Sequence, residues 1–323
     1  MIFILIIESM YSKIIAVASA FPKNGYTNDE FIQKYKVDTT SEWIESMTGI
    51  RKRYFAENIE EFEEIVITSA KEAIEKAVNN IASHSSEFGI DGVIVASSSN
   101  SYKFPGLSQI VHKALGLNKF VRTIDINAAC NGFMQALSIA NSWIKFDGMR
   151  NVLVIGADAM SFMLNMEDRG TCCLFGDGAG AVVLSNENMP GGSRLIREWE
   201  HITLSENYES LIAQKCVVMN GRSVFENSIK TFEEIITKLL EKANKKIEDI
   251  DLLILHQANY RIFKSLCGKM GIDENKIPFL AFDCANTSAA TIPIALSQVA
   301  YENKNLILAG FGAGFNASAT LIS

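Results

Sequence analysis

Three residues in this sequence, far apart along the chain, have the chemistry of a nucleophile, an acid/base group and an amide donor: Cys130, His256 and Asn286. Cys130 lies in "IDINAACNGFMQAL" (124–137), where an apolar, β-branched run gives way to small residues and then to the helical pattern "FMQALSIANSWI". A thiol in the first turn of a helix meets unpaired backbone N–H groups and the positive end of the helix dipole. Both favour the thiolate and lower the thiol pKa below about 8.5. Ala128, Ala129 and Gly132 leave room for a substrate to approach. A small buried packing residue fits the same stretch, since free cysteine is among the most buried residue types.

His256 ends the apolar run "LLIL", and ligands of open α/β sheets bind at the carboxyl ends of strands. An imidazole there suits acid/base work or hydrogen bonding. His84, His112 and His201 sit in polar or helical contexts without comparable neighbours. Asn286, in "CANTSAA", marks the passage from a strand-like run to a helix start. Its amide could donate to a carbonyl gaining negative charge. With Thr287 and Ser288 it equally suits a helix N-cap.

The elements around these residues alternate. "GVIVASSS" and "NVLVIGAD" read as buried parallel strands, and "VITSAKEAIEKAVNNI" and "FEEIITKLLEKANKK" as helices. The class is α/β. The halves also echo each other. "IDGVIVASSSN" is matched by "IDLLILHQAN", "VRTIDINAACNGFMQAL" by "IPFLAFDCANTSAATIPIAL", and "NVLVIGADAM" by "NLILAGFGAG". "GDGAGAVVLS" and "GAGFNASATLIS" close the two halves, so four elements recur in one order, which predicts a duplicated α/β unit with functional residues from both copies. A junction is expected around 186–216, where Pro190, Gly191 and Gly192 punctuate the chain. The division is an extension at 1–9, an N-terminal half at 10–185 with the cysteine, and a C-terminal half at 186–323 with the histidine and asparagine.

A formal net charge of −7 without a long Lys/Arg run argues against nucleic-acid binding. The opening "MIFILII" is too short to span a bilayer and lacks the basic flank of a signal peptide, so a cytoplasmic protein is expected. "MYSKIIAVAS", from Met10, reads as an alternative natural start. The six cysteines show no C-x-x-C and no histidine at metal-ligand spacing, and no metal is expected. "GDGAGA" and "GFGAGF" imitate a dinucleotide loop, but strand-like runs follow them where that motif needs a helix. Tight backbone approach, or an N–H exposed to an oxyanion, fits them better.

Taken together, "DINAACNGF", "DRGTCCLFGDGAGAVVLS", "MNGRSVF", "HQANYRIF", "NTSAATIPIAL" and "GFGAGF" resemble, in order and spacing, β-ketoacyl-acyl carrier protein synthase III, and "DTTSEWIESMTGIRKR" fits as well. The resemblance runs from about Met10 to the end. It implies a thiolase fold, with two similar halves in a five-layered αβαβα sandwich, and a homodimer. It implies a Cys-His-Asn site at Cys130, His256 and Asn286, with backbone N–H groups of Cys130 and Ala313 as the oxyanion hole. The reaction implied loads an acyl group from acyl-CoA onto the cysteine and condenses it decarboxylatively with malonyl-acyl carrier protein. Acyl-CoA is then a substrate, and no cofactor is implied. Trp43, Arg169, Phe225 and Arg261 match CoA- and pantetheine-binding positions, and Phe104 an aromatic that reaches across the dimer into the partner's acyl pocket. A relative that passes the acyl group to an alcohol or amine is the alternative. The chain departs from the family pattern at Met47, where an arginine is common, and at "FNAS" and "CANTS"; the stretch between "VVLS" and "MNGR" is also short.

Overall fold

Helix and strand alternate along the chain as the hydrophobic periodicity demands. The computed structural model describes residues 11–81, 88–186, 195–301 and 304–323. The 1–9 extension, His84 and the Pro190–Gly192 turn lie outside them. The first half runs β1 (Lys13–Ala20), β2 (Gly25–Thr27), α1 (Asn28–Tyr35), α2 (Ser41–Thr48), β3 (Lys52–Tyr54), α3 (Ile59–Ile81), β4 (Gly92–Ala96), α4 (Leu107–Ala114), β5 (Arg122–Ile126), α5 (Gly132–Asp147), β6 (Asn151–Ala159), α6 (Arg169–Cys172) and β7 (Asp177–Ser185). The second runs β8 (Ile196–Thr203), β9 (Leu211–Ala213), β10 (Val217–Met219), α7 (Gly221–Lys242), β11 (Leu252–Leu255), α8 (Tyr260–Met270), α9 (Thr291–Gln298), β12 (Leu306–Gly312) and β13 (Asn316–Ile322).

The sheets share one plan. The first has strand order β1-β7-β6-β4-β5, the second β8-β13-β12-β11. In both, the parallel pair (β6 with β4, β12 with β11) is followed by two antiparallel neighbours. Strand residues alternate between two apolar layers, so β4, β6, β7, β11 and β12 are buried along their whole length. Val93 and Val95 pack outward against Phe62, Val66 and Ala70 of α3, whereas Ile94 and Ala96 pack inward on α5. Ile307, Ala309 and Phe311 likewise meet α7 and α8, while Leu306 and Leu308 meet the central layer. That layer is made of α5 and α9, squeezed between the sheets through Phe133, Met134, Leu137, Ile292 and Leu296. The layers are therefore αβαβα.

One expectation is corrected. "IPFLAFD" (277–283), the echo of β5, is not a strand; it ends in a 3-10 turn at Ala281–Asp283, and the second sheet has four strands. Pro278 lacks an N–H for a ladder, and Phe279 and Phe282 join Tyr260 in an aromatic cluster instead. Within the 186–216 stretch, β8 begins the second half as an edge strand of the second sheet, and the β9–β10 hairpin starts there as well.

Each half reaches into the other through one turn. The turn before α5 hydrogen-bonds to the second half, Asn131 Nδ2 donating to Asn316 Oδ1 at 2.7 Å and to Ser318 Oγ at 3.0 Å. The turn before α9 returns the arrangement, Ala289 N–H donating to Asp158 Oδ2 on β6 at 3.1 Å. Gly156 on β6 makes this possible, since a Cβ there would collide with the Ala289 carbonyl.

Candidate active site

The two turns are the same device used twice. Asn127 Oδ1 accepts the N–H of Ala129 at 3.1 Å, and Asn286 Oδ1 accepts that of Ser288 at 2.9 Å. Ala129 and Ser288 then adopt φ of +48° and +52° and open 3-10 turns (Ala129–Asn131 and Ser288–Ala290) that lead into α5 and α9. Ala285, just before Asn286, has φ +62°, and Phe315, beside Ala313, has φ +48°. Four of the six non-glycine residues with positive φ among the described residues thus lie within three positions of Cys130, Asn286 or Ala313. Such strain persists where surrounding structure over-determines it and marks functional sites. Ala285, in "CANTS", thus holds an αL backbone without being the residue that adopts it freely, glycine.

Cys130, His256 and Asn286 line one cavity of about 480 Å³. Its walls are mostly apolar, with Leu174, Phe175, Phe232 and Phe311 among them. All three polar residues are buried. Asn286 is held by its backbone, its N–H donating to Leu174 O and its carbonyl accepting from Gly176 N–H, both at 3.0 Å. Because a backbone N–H can only donate, the Asn286 atom facing Ser288 is Oδ1, and Nδ2 is the half of the amide left as a donor. His256 follows β11; its Nδ1 lies 2.6 Å from Thr291 Oγ1, which is itself 3.1 Å from Ser288 O. Burial pushes the His256 pKa down to about 3, so the imidazole is neutral at ordinary pH.

Cys130 departs from expectation in one respect. It sits in the 3-10 turn ahead of α5, and burial pushes its thiol pKa up, to about 11, not down. Desolvation outweighs a hydrogen bond donated by Ser288 Oγ at 3.4 Å and one from its own backbone N–H. A nucleophilic role for this thiol would therefore need a proton acceptor.

Gly312, at the end of β12, lies against the Cys130 turn: a Cβ there would be 3.2 Å from Cys130 N and 2.8 Å from Asn131 N. The next residue, Ala313, is fixed by Asn316 Nδ2, which donates to its carbonyl at 2.7 Å. Asn316, the asparagine of "FNAS", thereby ties the Ala313 turn to Asn131, beside the cysteine. Trp43, Arg169, Phe225 and Arg261 line the same cavity. The Arg169 guanidinium lies 5.1 Å from the Trp43 ring centre, and that of Arg261 lies 5.5 Å from the Phe225 ring centre. Met47 fills the space beside Arg261, its Sδ 3.7 Å from Nη1. Phe104 is not among the cavity residues; it is 85% exposed, in the loop before α4.

Sequence reasoning missed Thr291, Asp158 and Phe311. Asp158 had one visible signal, a carboxylate closing the apolar run "NVLVIGADA".

Comparison with known proteins agrees with this geometry. Residues 124–199 match the family model described as 3-oxoacyl-[acyl-carrier-protein (ACP)] synthase III, and residues 240–323 that of its C-terminal part. The β-ketoacyl-[acyl-carrier-protein] synthase III of Neisseria gonorrhoeae (strain NCCP11945) is 37% identical over 97% of this chain and 99% of its own. The crystal structure of 3-oxoacyl-[acyl-carrier-protein] synthase III from Aquifex aeolicus VF5 superposes with a TM-score of 0.87 at 36% identity, covering 96% of this chain and 99% of that one. The priming β-ketosynthase of the R1128 polyketide pathway gives 0.86 at 30% identity, covering 97% and 96%. With a full-length relative at this identity, and a fold of five layers built from two similar halves, the chain belongs to the β-ketoacyl-acyl carrier protein synthase III family of thiolase-fold condensing enzymes.

Proposed function

We propose that this condensing enzyme is an acyltransferase that takes an acyl group from acyl-CoA onto Cys130 and joins it to malonyl-acyl carrier protein with loss of carbon dioxide. The observation that carries this reading is the convergence of Cys130, His256 and Asn286, from both halves, on one largely apolar cavity. The Cys130 sulfur attacks the donor carbonyl and forms a thioester, giving ping-pong kinetics. Backbone N–H groups of Cys130 and Ala313 receive the oxyanion. Malonyl decarboxylation then generates an enolate, whose oxygen is held by Asn286 Nδ2–H and by His256 Nε2–H. The second donor requires Thr291 to give its hydroxyl proton to His256 Nδ1. Acyl-CoA is a substrate here, and no cofactor takes part. Trp43 and Arg169 suit an adenine clamp, since stacked ring and guanidinium planes recognise a flat base. Phe225 and Arg261 suit the pantetheine entrance.

We read the working unit as a homodimer. β5 is an edge strand, and exposed Phe120, Ile124 and Phe146 lie on or near it. An unpaired edge flanked by apolar side chains favours pairing with a second copy. Phe104 would then enter the partner's acyl pocket. A cytoplasmic location suits the six free cysteines; among the described residues no helix is long and apolar enough to cross a membrane.

Incubation with acyl-CoAs of varied length, followed by mass analysis of the peptide carrying Cys130, tests the assignment. An acyl adduct absent from Cys130→Ala is expected, and malonyl-acyl carrier protein should discharge it with release of carbon dioxide. No adduct from any CoA donor would overturn the donor assignment. Discharge by an alcohol or amine but not by malonyl thioester would establish the other acceptor class.

A further inference from the structure

We propose that Ser288 and Asp158 form a proton relay that takes the Cys130 proton during acylation and returns it when the cysteine is released. The inference rests on Cys130 as the acyl carrier and adds the base that this step needs. Ser288 Oγ donates to Cys130 Sγ at 3.4 Å. The same hydroxyl is a polar neighbour of Asp158 that favours its charged form, and Asp158 Oδ2 accepts the N–H of the following residue, Ala289, at 3.1 Å. The two carboxylate oxygens are unequal. Oδ1 is saturated by Ser98 N–H (2.7 Å), Ser99 N–H and Oγ–H (both 3.1 Å) and Ser97 Oγ–H (3.3 Å). Oδ2 has one backbone donor, the Ala289 N–H, and so keeps acceptor capacity. Asp158 is fully buried, with no cation among its partners in the described residues, and burial raises its pKa, which suits an internal base. Ser288 also holds φ +52°, a backbone that glycine adopts freely and serine does not. The hydroxyl is therefore carried at a position where the backbone disfavours any side chain.

The balance closes over one turnover. At rest the single Ser288 hydroxyl proton points to Cys130 Sγ; for the transfer it turns to Asp158 and passes to the carboxylate as Ser288 Oγ takes the Cys130 S–H proton. The sulfur electron pair forms the new C–S bond, and the donor thiol leaves as a thiolate that takes its proton from solvent. In the condensation step the enolate carbon attacks the acyl-cysteine, and the C–S bond breaks. The departing Cys130 thiolate then regains, through Ser288, the proton stored on Asp158. Neutral His256, lining the same cavity, is left free for the enolate. Other titratable or charged groups facing these residues are Asp177 on β7, which feels the Asp158 charge, and Cys173, Arg169 and Arg261 on the cavity wall.

Alkylation of Cys130 by iodoacetamide, followed from pH 5 to 10 by mass spectrometry, tests the relay without any acyl donor. A failure here is therefore separable from a failure of the acyl-CoA assignment. In the native enzyme the shared proton gives a fixed thiolate fraction across neutral pH, so the rate should show a plateau below the thiol titration. In Asp158→Asn the plateau should vanish, with alkylation at pH 7 at least tenfold slower and acyl loading about 100-fold or more slower. If Asp158 acts only as a buried negative charge, which raises the thiol pKa, the same variant will alkylate faster, and the relay is wrong. Ser288→Gly, which relieves the positive φ, guards against an Asp158 variant that fails to fold. It should lose the plateau and load acyl groups at least tenfold more slowly; native rates in both assays would overturn the proposal.

Discussion

His256 Nδ1 and Thr291 Oγ1 lie 2.6 Å apart, and that contact governs what His256 can do. Thr291 has one hydroxyl proton and two acceptors, the imidazole and Ser288 O at 3.1 Å. Given to the imidazole, the proton makes Nε2 the N–H donor that an enolate needs. Given to Ser288, it leaves Nε2 as an acceptor. The shorter contact is the one to His256. In Thr291→Val, nearly isosteric but without the hydroxyl, we expect acyl loading to persist and malonyl decarboxylation to fall about 10- to 100-fold. That corresponds to about 1–3 kcal/mol for an orphaned buried group. Thr291→Ser should restore most of the rate. Carbon dioxide release set against the acylation burst checks this; equal loss of both steps would mean Thr291 serves only packing.

Asn286 has its amide orientation dictated by Ser288 N–H. Asn286→Asp keeps the acceptor and so the turn, but replaces the Nδ2 donor with an oxygen that repels an enolate. Loss of one such donor lowers rates about 100- to 1000-fold, and decarboxylation in Asn286→Asp should fall at least that far. Thermal unfolding within a few degrees of the native protein would show that the turn survives, and near-native decarboxylation would remove Asn286 from the step.

Gly312 separates a glycine required by contact from one that is not. A Cβ there would be 2.8 Å from Asn131 N, 3.0 Å from Ala128 O and 3.2 Å from Cys130 N, all backbone atoms. Gly312→Ala must therefore displace the nucleophile turn, at about 1–3 kcal/mol of stability, and acyl loading should fall at least tenfold. Gly268, within α8, has nothing within 4 Å of its would-be Cβ, and Gly268→Ala should stabilise by about 0.5–1 kcal/mol with unchanged loading. Denaturant midpoints and burst amplitudes of the pair decide the matter.

What could be read in advance was what neighbouring residues encode. The layers follow from strands apolar on both faces and from the repeat of four elements, and Cys130, His256 and Asn286 from short motifs at strand ends. Contacts across long sequence separation could not be read. Thr291 is 35 residues from His256, and Asp158 is buried because Ser97 to Ser99, on another strand's end, supply its donors. The Cys130 error has the same origin: the helix-start argument captures the N–H groups that favour a thiolate, but desolvation depends on the second half closing over it. The β5 echo failed because Phe279 and Phe282 found aromatic partners in α8.

Buried His256 predicts a specific pH signature in stability. Its folded pKa, about 3, is below its ordinary value of 6.5, so between these limits the unfolded chain binds a proton that the folded site excludes. This contribution is absent above pH 6.5, and stability falls as pH drops toward 3. Asp177 runs the other way. Burial raises its carboxyl from 3.8 to about 6, so its stabilisation is full below 3.8 and is lost as pH rises through 6. The two oppose each other in the native protein, and His256→Asn retains only the aspartate side. The stability of His256→Asn relative to the native protein should therefore improve steadily as pH falls from 7 to 4, read as converging or crossing urea midpoints. A difference between the two proteins that stays constant over that range would mean that His256 is protonated normally in the folded state, and its role as a neutral donor would fall with it.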